Sequence, residues 1–367
     1  MEPSSSSPLI LHTDASHSWG GQEIRVLTEL REMQRQGFRV GLVAAHGTEL
    51  VQRAARESIP VYPVAPFSKL NPSSWFEVWN LLRRLRPTVV NTHSSEDSWV
   101  AGAMARLVRT PLIIRTRHVQ SPISSKVSYL LFPHLILTCS GAITQQLVED
   151  GIPASKTVVV STGNDVSRFR FSSENRQRIR QRYDINDDTI LVGNVGFLRS
   201  YKGHPFILKT AVHMPARYRF MLVGDGEDRQ ALESLARELG VDNRVIFAGH
   251  QEEPEAFYSA FDLCFFSSNK AEGISQSLVQ SLINGLPVLA CRIPSTEEAL
   301  RPLEHYRLVD YDDVEAACRA LESLTPISRE DTEGQSRTAA ERYGLSPMVH
   351  LLLETYRRHG IVPGNAR

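Results

Sequence analysis

Residues 88–118 read TVVNTHSSEDSWVAGAMARLVRTPLIIRTRH. The flanking segments, TVVNTH and PLIIRTRH, are short apolar runs rich in β-branched residues, as strands buried on both faces require. Between them, SWVAGAMARLV has the length and apolar spacing of a helix. A strand, a crossover helix and a second strand make a βαβ unit, whose two strands run parallel.

The same alternation extends in both directions. Upstream come the strand PLILHT, the helix GGQEIRVLTELREMQRQGF, the strand RVGLVAA, the helix ELVQRAARESI, the strand VYPVA and the helix SSWFEVWNLLRRLRP. In the first of these helices Ile24, Leu27, Leu30 and Met33 mark one face, and Gly37 closes the helix. Downstream, LILTCS leads into GAITQQLVEDGI, with Ser140 as N-cap, and TVVVSTGND ends the series. A polar, charged break follows over 167–187, SRFRFSSENRQRIRQRYDIND, with no strand pattern. The alternation then restarts at TILVGNVGFL and runs through YRFMLVGDG, RVIFAGH, DLCFFSS and LPVLAC, with helices between them. The expected architecture is α/β, with two Rossmann-like doubly wound domains facing a cleft. Their expected bounds are 1–168 and 169–345, and the last helix, within 346–367, is expected to pack back on the first domain.

The totals fit this division. The chain has 367 residues, 41% hydrophobic and 22% charged, with Lys+Arg 41 against Asp+Glu 41. One core does not usually grow that large. A balanced charge gives no support to nucleic-acid wrapping, which leaves a basic excess. Cys139, Cys264, Cys291 and Cys318 lie far apart, without a C-x-x-C pair, so buried reduced thiols are expected rather than a disulfide framework or zinc site. The Ser/Pro-rich start lacks the charged and apolar regions of a secretory signal and reads as a frayed tail. No apolar run approaches the ~20 residues of a membrane span. A cytoplasmic protein is expected, with at most a peripheral contact with the inner face of the plasma membrane.

In open parallel sheets, ligands bind beyond the carboxyl ends of the strands, so the residues there carry the functional reading. Gly20 and Gly21 follow the first strand at a helix entrance. Two glycines there admit a ligand to the backbone, and free N–H groups make an anion site; a tight turn alone would also use them. Arg199 and Lys202 follow TILVGNVGFL. Together they suit a diphosphate, one as a forked donor and one as a point charge, although a solvated pair is the commoner fate of such residues. After DLCFFSS, which ends in Ser267 and Ser268, a helix starts near Ser275. The N–H groups of Gly273, Ile274 and Ser275 then form a second anion site. Glu272 is a first-turn acid or an acceptor for two sugar hydroxyls. Gln280 lies two turns on, facing ribose or merely covering the helix. His93 and His118 end two strands and can hold a hydroxyl or move a proton. His12, Asp14 and His17 lie at the first strand and loop, where they could serve an acceptor.

These segments resemble the family 4 retaining glycosyltransferases of GT-B architecture, also called glycosyl transferases group 1. The resemblance is carried by residues 222–290, by GFLRSYKGHPFILKTA, by the WGGQE loop and by TGNDVSRF before the second domain. The family's Glu, seven residues, Glu pattern appears here as Glu272 followed by Gln280. Phe197 stands where the family often has Arg, with Arg199 two residues later and Lys202 and Gly203 matching.

The resemblance implies a nucleoside-diphosphate sugar as donor, with no further cofactor and no metal. Glu272 with Gly273, Ile274 and Ser275 would hold the sugar. Arg199 and Lys202 would neutralise the diphosphate, approached by Gly20 and Gly21. Gln280 would take the ribose, and His118 would contact the sugar near its reacting carbon. The expected activity is retaining transfer to an acceptor hydroxyl in bacterial envelope glycan or lipopolysaccharide synthesis.

The alternatives are a nucleotide-sugar epimerase of the same architecture and a sugar-nucleotide binder with weak catalysis, which Gln280 and Phe197 would fit. A phosphorylase has little room for its additions. A dehydrogenase would need a G-x-G-x-x-G after the first strand, which is absent. For the acceptor, Trp75, Phe76 and Trp79 with Arg83, Arg84 and Arg86 suit a lipid-linked glycan and an anionic membrane surface. Core aromatics with solvated arginines are the commoner meaning of such residues.

Overall fold

The computed structural model of the chain describes residues 7–123, 125–270, 273–325 and 327–364. It divides into two compact units, one running to Gly163 and resuming at Ser346, the other Asn164–Leu345. Each is built on one parallel sheet.

The first unit contains β1 (Leu9–Asp14), β2 (Arg39–Ala45), β3 (Val61–Val64), β4 (Val89–Thr92), β5 (Leu112–Arg117), β6 (Leu135–Thr138) and β7 (Thr157–Val159). Their order across the sheet is β3-β2-β1-β4-β5-β6-β7. Pairing is parallel throughout, with Ile10 beside Val40 on one side and Val89 on the other. Leu11, Val43, Val90 and Ile113 pack one face against Val78, Leu82 and Val100. Each such side chain contributes about 1.5–3 kcal/mol by leaving water. The helix Leu345–Arg358 belongs to this unit, and its Tyr356 meets Phe38 edge to face at 5.9 Å.

The second unit contains β8 (Ile190–Val195), β9 (Tyr218–Val223), β10 (Val245–Gly249), β11 (Leu263–Phe266), β12 (Val288–Cys291) and β13 (Tyr306–Val309). The order is β10-β9-β8-β11-β12-β13, again all parallel. Alternate residues face opposite sides. Phe220, Leu222, Phe265 and Leu289 join one apolar layer with Phe206, whereas Met221, Cys264, Val288 and Ala290 join the other with Leu278 and Leu282. This two-sided burial is why these strands read as continuous apolar runs.

Two readings are corrected. Ile24 is 45% exposed, and the buried face of the helix Gly21–Arg35 instead carries Arg25 and Glu29 beside Leu27, Leu30 and Met33. The break over 167–187 carries no strand, as read; the helices Val166–Phe169 and Ser173–Arg182 lie there. The second docks through charge rather than an apolar stripe: Arg176 and Arg180 each donate to Asp262, at 2.7 and 3.1 Å. The division between units falls at Gly163 rather than 168. Asn164 already pairs with the second unit's end, donating to the Tyr343 carbonyl and accepting from Leu345 N–H. All four cysteines are free thiols. No helix among the described residues is long and apolar enough to cross a membrane. The expected frayed tail, residues 1–6, lies outside the described residues.

Candidate active site

In both sheets the strand order reverses direction once, between β1 and β4 and between β8 and β11. Such switch points open a crevice at the carboxyl ends of the strands, where ligands of this fold class bind. Among the described residues, Gly20, Gly21, His93 and His118 lie at the first unit's switch point and Arg199, Lys202 and Ser275 at the second's.

In the second unit, the segment from Gly196 to Gly203 after β8 is fixed by backbone. Gly196 N–H donates to the Val223 carbonyl, Leu198 N–H to the Asp225 carbonyl, and Asp228 N–H to the Leu198 carbonyl. A Cβ on Gly224 would lie 1.9 Å from the Gly196 oxygen, and one on Gly203 would lie 2.0 Å from the Ser267 oxygen. Gly203 also has φ +66, so only glycine fits there without strain. This clamp holds Arg199 and Lys202, both half-buried, at the strand end. Arg199 lies over the Phe197 ring at 5.1 Å. Ser267 Oγ donates to the Lys202 carbonyl at 2.8 Å, and Asn269 N–H to the Tyr201 carbonyl at 3.0 Å, tying the β8 and β11 loops together. Behind them His204 is buried, and burial beside Lys202 pushes its pKa down to about 4, leaving it neutral.

The β11 loop leads to Ser275, the N-cap of the helix Gln276–Ile283. Gly273, Ile274 and Ser275 thus stand at a helix N-terminus, as expected, and β8–β11 adjacency brings them to the same sheet end as Arg199 and Lys202. Glu272 lies outside the described residues. Gln280 is engaged internally: its carbonyl accepts from the Tyr258 hydroxyl at 3.0 Å, and its amide donates to Asn164 Oδ1 at 3.3 Å. Asn164 also donates to Gln276 Oε1 at 3.0 Å.

In the first unit, Gly20 and Gly21 open the helix Gly21–Arg35 directly after the β1 loop. A Cβ on Gly21 would meet nothing within 4 Å, so the unit's own packing does not demand glycine there. His93 follows β4 and His118 follows β5. They join His12 of β1 in a line of rings. His93 Nδ1 is 2.9 Å from His118 Nε2, and His93 Nε2 is 2.9 Å from His12 Nδ1. Burial, together with the charge of Arg25, holds all three pKa values low, His12 at about 4, so the rings are neutral. Among the described residues, no His, Cys, Asp and Glu side chains converge as three or more metal ligands would.

Two carboxylates flank this line. Asp14, at the end of β1, accepts from Ser16 N–H at 2.7 Å, and its two oxygens accept from Gln22 Nε2 at 3.2 and 3.0 Å. Burial, and then the nearby Asp97, push its pKa up to about 7. Asp97 is fully buried and accepts four bonds, from Thr13 Oγ1, His93 N–H, Ser94 N–H and Ser94 Oγ. It therefore fixes the turn that presents His93. The sequence reading passed over Asp97, although Ser94-x-x-Asp97 is the spacing of a reciprocal helix cap. It also passed over Arg25 and Glu29, visible only as a charged pair four apart on an otherwise apolar face. His17 is exposed in the loop.

Comparison with known proteins defines the class. Residues 175–353 match the model for glycosyl transferases group 1, and residues 19–168 match the model for glycosyltransferase family 4. The chain belongs to this family, with the GT-B fold. Among curated relatives, it is 32% identical over 145 residues to the lipopolysaccharide core biosynthesis glycosyltransferase LpsE of Rhizobium meliloti, a match covering 40% of this chain and 42% of that protein. It is 28% identical over 143 residues to the O-antigen biosynthesis glycosyltransferase WclY of Escherichia coli, covering 39% of each. These matches thus span less than half of either relative. In fold, it superposes on Anabaena Alr3699/HepE, solved in complex with UDP-glucose, with a TM-score of 0.85 at 20% identity over 95% of this chain and 99% of that one.

Proposed function

We propose that the chain transfers a sugar from a nucleoside-diphosphate sugar to a hydroxyl acceptor with retention, in the synthesis of a bacterial envelope glycan. The observation that carries this reading is the β8 loop, where a backbone clamp sets Arg199 and Lys202 at the switch point beside the N-terminus of the helix Gln276–Ile283. Cleaving the anomeric C–O bond leaves an oxocarbenium-like sugar and an anionic diphosphate. Cations and N–H groups fixed where that charge develops lower the barrier without reorganising. The two cations and the helix end supply this stabilisation without a metal or other cofactor. The acceptor oxygen attacks from the face the diphosphate leaves, and its proton passes to the departing phosphate oxygen. Gly21, unconstrained by its own packing, leaves the N-terminus of its own helix open to an anion. The UDP-glucose complex of the Anabaena protein and the envelope-glycan roles named for the two relatives support the donor class and the setting.

The acceptor in this reading is lipid-linked and met at a membrane surface. The helix Pro72–Leu85 carries the face for it. Lys69, Leu70, Trp75, Phe76 and Trp79 line an apolar hollow of about 420 Å³, Leu70 is 92% and Phe76 62% exposed, and Arg83 and Arg84 stand exposed alongside.

Thermal unfolding with UDP and with UDP-glucose tests the donor site. At a hundredfold excess over the dissociation constant the gain is about 2.7 kcal/mol. Arg199→Ala/Lys202→Ala is expected to abolish that gain and the turnover of UDP-sugars. If no nucleoside diphosphate or its sugar stabilises the chain, or if the double variant binds and turns over as before, the reading is wrong.

A further inference from the structure

The line of three histidines does not end at His12. His12 Nε2 faces Glu29 Oε2 at 3.9 Å, and both atoms are buried with no hydrogen-bond partner. Glu29 holds Arg25 Nε at 2.6 Å through its other oxygen. Arg25 Nη1 donates to Cys139 Sγ at 2.9 Å, and Cys139 Sγ lies 3.5 Å from His118 Nδ1. The groups therefore close a ring, Glu29–His12–His93–His118–Cys139–Arg25, across the ends of β1, β4, β5 and β6 and the helix Gly21–Arg35. His12, Arg25 and Glu29 are fully buried, His93 nearly so, and His118 is half-buried at the strand end.

A neutral imidazole has one N–H and one lone pair. Three neutral rings joined nitrogen to nitrogen must therefore all point their protons the same way. Only two arrangements exist. In one, each Nε2–H points inward, from His118 to His93, from His93 to His12, and from His12 to Glu29. In the other, each Nδ1–H points outward, and His12 aims a lone pair at the Glu29 carboxylate. Two acceptors facing one another without a proton, in a dry interior, are disfavoured. The Glu29 carboxylate, bound to Arg25 through its other oxygen, thus selects the inward arrangement.

We propose that Glu29, His12 and His93 are positioning residues that lock His118 as the Nε2–H tautomer, leaving its Nδ1 as a hydrogen-bond acceptor for a substrate hydroxyl. The Cys139 thiol is a weak donor, so it yields that nitrogen readily. His118 then receives a sugar hydroxyl rather than donating to it. The donor of that hydroxyl rests on the transferase reading above; the tautomer itself does not.

The test is nuclear magnetic resonance of the full chain with isotope-labelled histidine at neutral pH. Long-range nitrogen–proton correlations distinguish protonated from unprotonated ring nitrogens, and His118→Gln assigns the signal. The expected result is that His93 and His118 are both single Nε2–H tautomers. In Glu29→Gln, whose amide can accept or donate, the Nδ1–H share of His118 should rise about tenfold, since a charged acceptor outcompetes a neutral one by that order. His12→Leu cuts the line without touching the Arg25–Glu29 pair and should loosen His118 in the same way, even if Glu29→Gln fails to fold. An Nδ1–H tautomer of His118 in the unaltered chain would overturn the proposal, as would a His118 tautomer unchanged in the folded variants. UDP-induced stabilisation, measured on the same samples, reports on Arg199 and Lys202 in the other unit. Its absence with the expected tautomers would count against the transferase reading alone.

Discussion

The two switch points use opposite means to hold their polar groups. At β1/β4 in the first unit, side chains hold side chains. Asp97 gathers four donors, Asp14 is gripped by Gln22, and the histidines are joined through their rings, so burial shifts most of these groups toward neutrality. At β8/β11 in the second unit, backbone holds backbone. Glycines that cannot carry a Cβ press the β8 and β9 loops together, and the cations project from them half-buried. A desolvated, neutral network suits reading hydroxyl groups. A rigid backbone frame with half-buried cations suits a dianionic group whose charge grows during reaction.

The comparison breaks most directly at the cations. Removing one preorganised donor from a developing anion typically costs on the order of 10²–10³ in turnover. Arg199→Ala/Lys202→Ala should thus lower kcat/KM for a UDP-sugar by at least about 10³-fold, with the melting temperature without ligand almost unchanged. Addition of EDTA should leave the rate of the unaltered chain where it was. Steady-state kinetics with and without chelator checks both. A chelator-sensitive rate would mean that the two cations do not neutralise the diphosphate by themselves.

The glycines sharpen it next, because they divide by role. Gly203→Val places a side chain at φ +66 and drives a Cβ to within 2.0 Å of a carbonyl oxygen, so about 3 kcal/mol or more of stability should be lost. Gly21→Ala adds a methyl to open space in the first turn of a helix and should change stability by no more than about 0.5 kcal/mol. Its effect is expected in the KM for the donor. Denaturant titration beside kinetics separates the two. A large stability loss in Gly21→Ala would show that this glycine is demanded by packing rather than by a ligand.

A smaller effect is expected in pH dependence, where the first unit's groups oppose one another. Asp14 titrates near 7 when folded and 3.8 when unfolded, so folding binds its proton. Its contribution is present at low pH and is lost as pH rises toward 7. His12 titrates near 4 folded and 6.5 unfolded, so its contribution is gained over the same range as pH rises. Between about pH 4 and 6.5 the two slopes cancel. Asp14→Asn removes one of them, and stability should then climb with pH by an additional ~1 kcal/mol per unit. Unfolding curves at several pH values check the slope. A variant that tracks the unaltered chain would place Asp14 in its usual range.

These contrasts also explain what the sequence could and could not show. Strand–helix alternation is a local pattern, so both sheets and every strand-end residue from His93 to Lys202 were legible. So was Ser275 as a helix start. Partners distant in sequence were not. Nothing near Gln280 announces that Asn164 and Tyr258 will take its amide, and Arg25 and Glu29 look like ordinary surface charges until β1 and β6 bring His12 and Cys139 to them. The helix Ser173–Arg182 was missed because it docks through arginines and a single buried Ile179 rather than an apolar stripe. The strand β13 was missed because its four residues, YRLV, are only partly buried.

The smallest expected effect concerns the helix Pro72–Leu85, where the two units should differ in kind. Each Arg or Lys near an anionic bilayer adds about 1 kcal/mol to binding, provided that it lies within a Debye length of the surface. Arg83 and Arg84 are exposed beside Leu70 and Phe76, and the Arg83 guanidinium lies over the Trp79 ring at 5.4 Å, an arrangement that keeps its charge at the rim of an apolar patch. With vesicles of phosphatidylcholine and phosphatidylglycerol at low salt, Arg83→Ala/Arg84→Ala should weaken co-sedimentation of the full chain by about thirtyfold, the product of two such terms. Arg199→Ala/Lys202→Ala removes the same charge from the second unit and should leave sedimentation unchanged. Equal losses in both pairs would mean that the chain responds to anionic lipid only through its total charge, and the face on the helix Pro72–Leu85 would then have no particular role at the membrane.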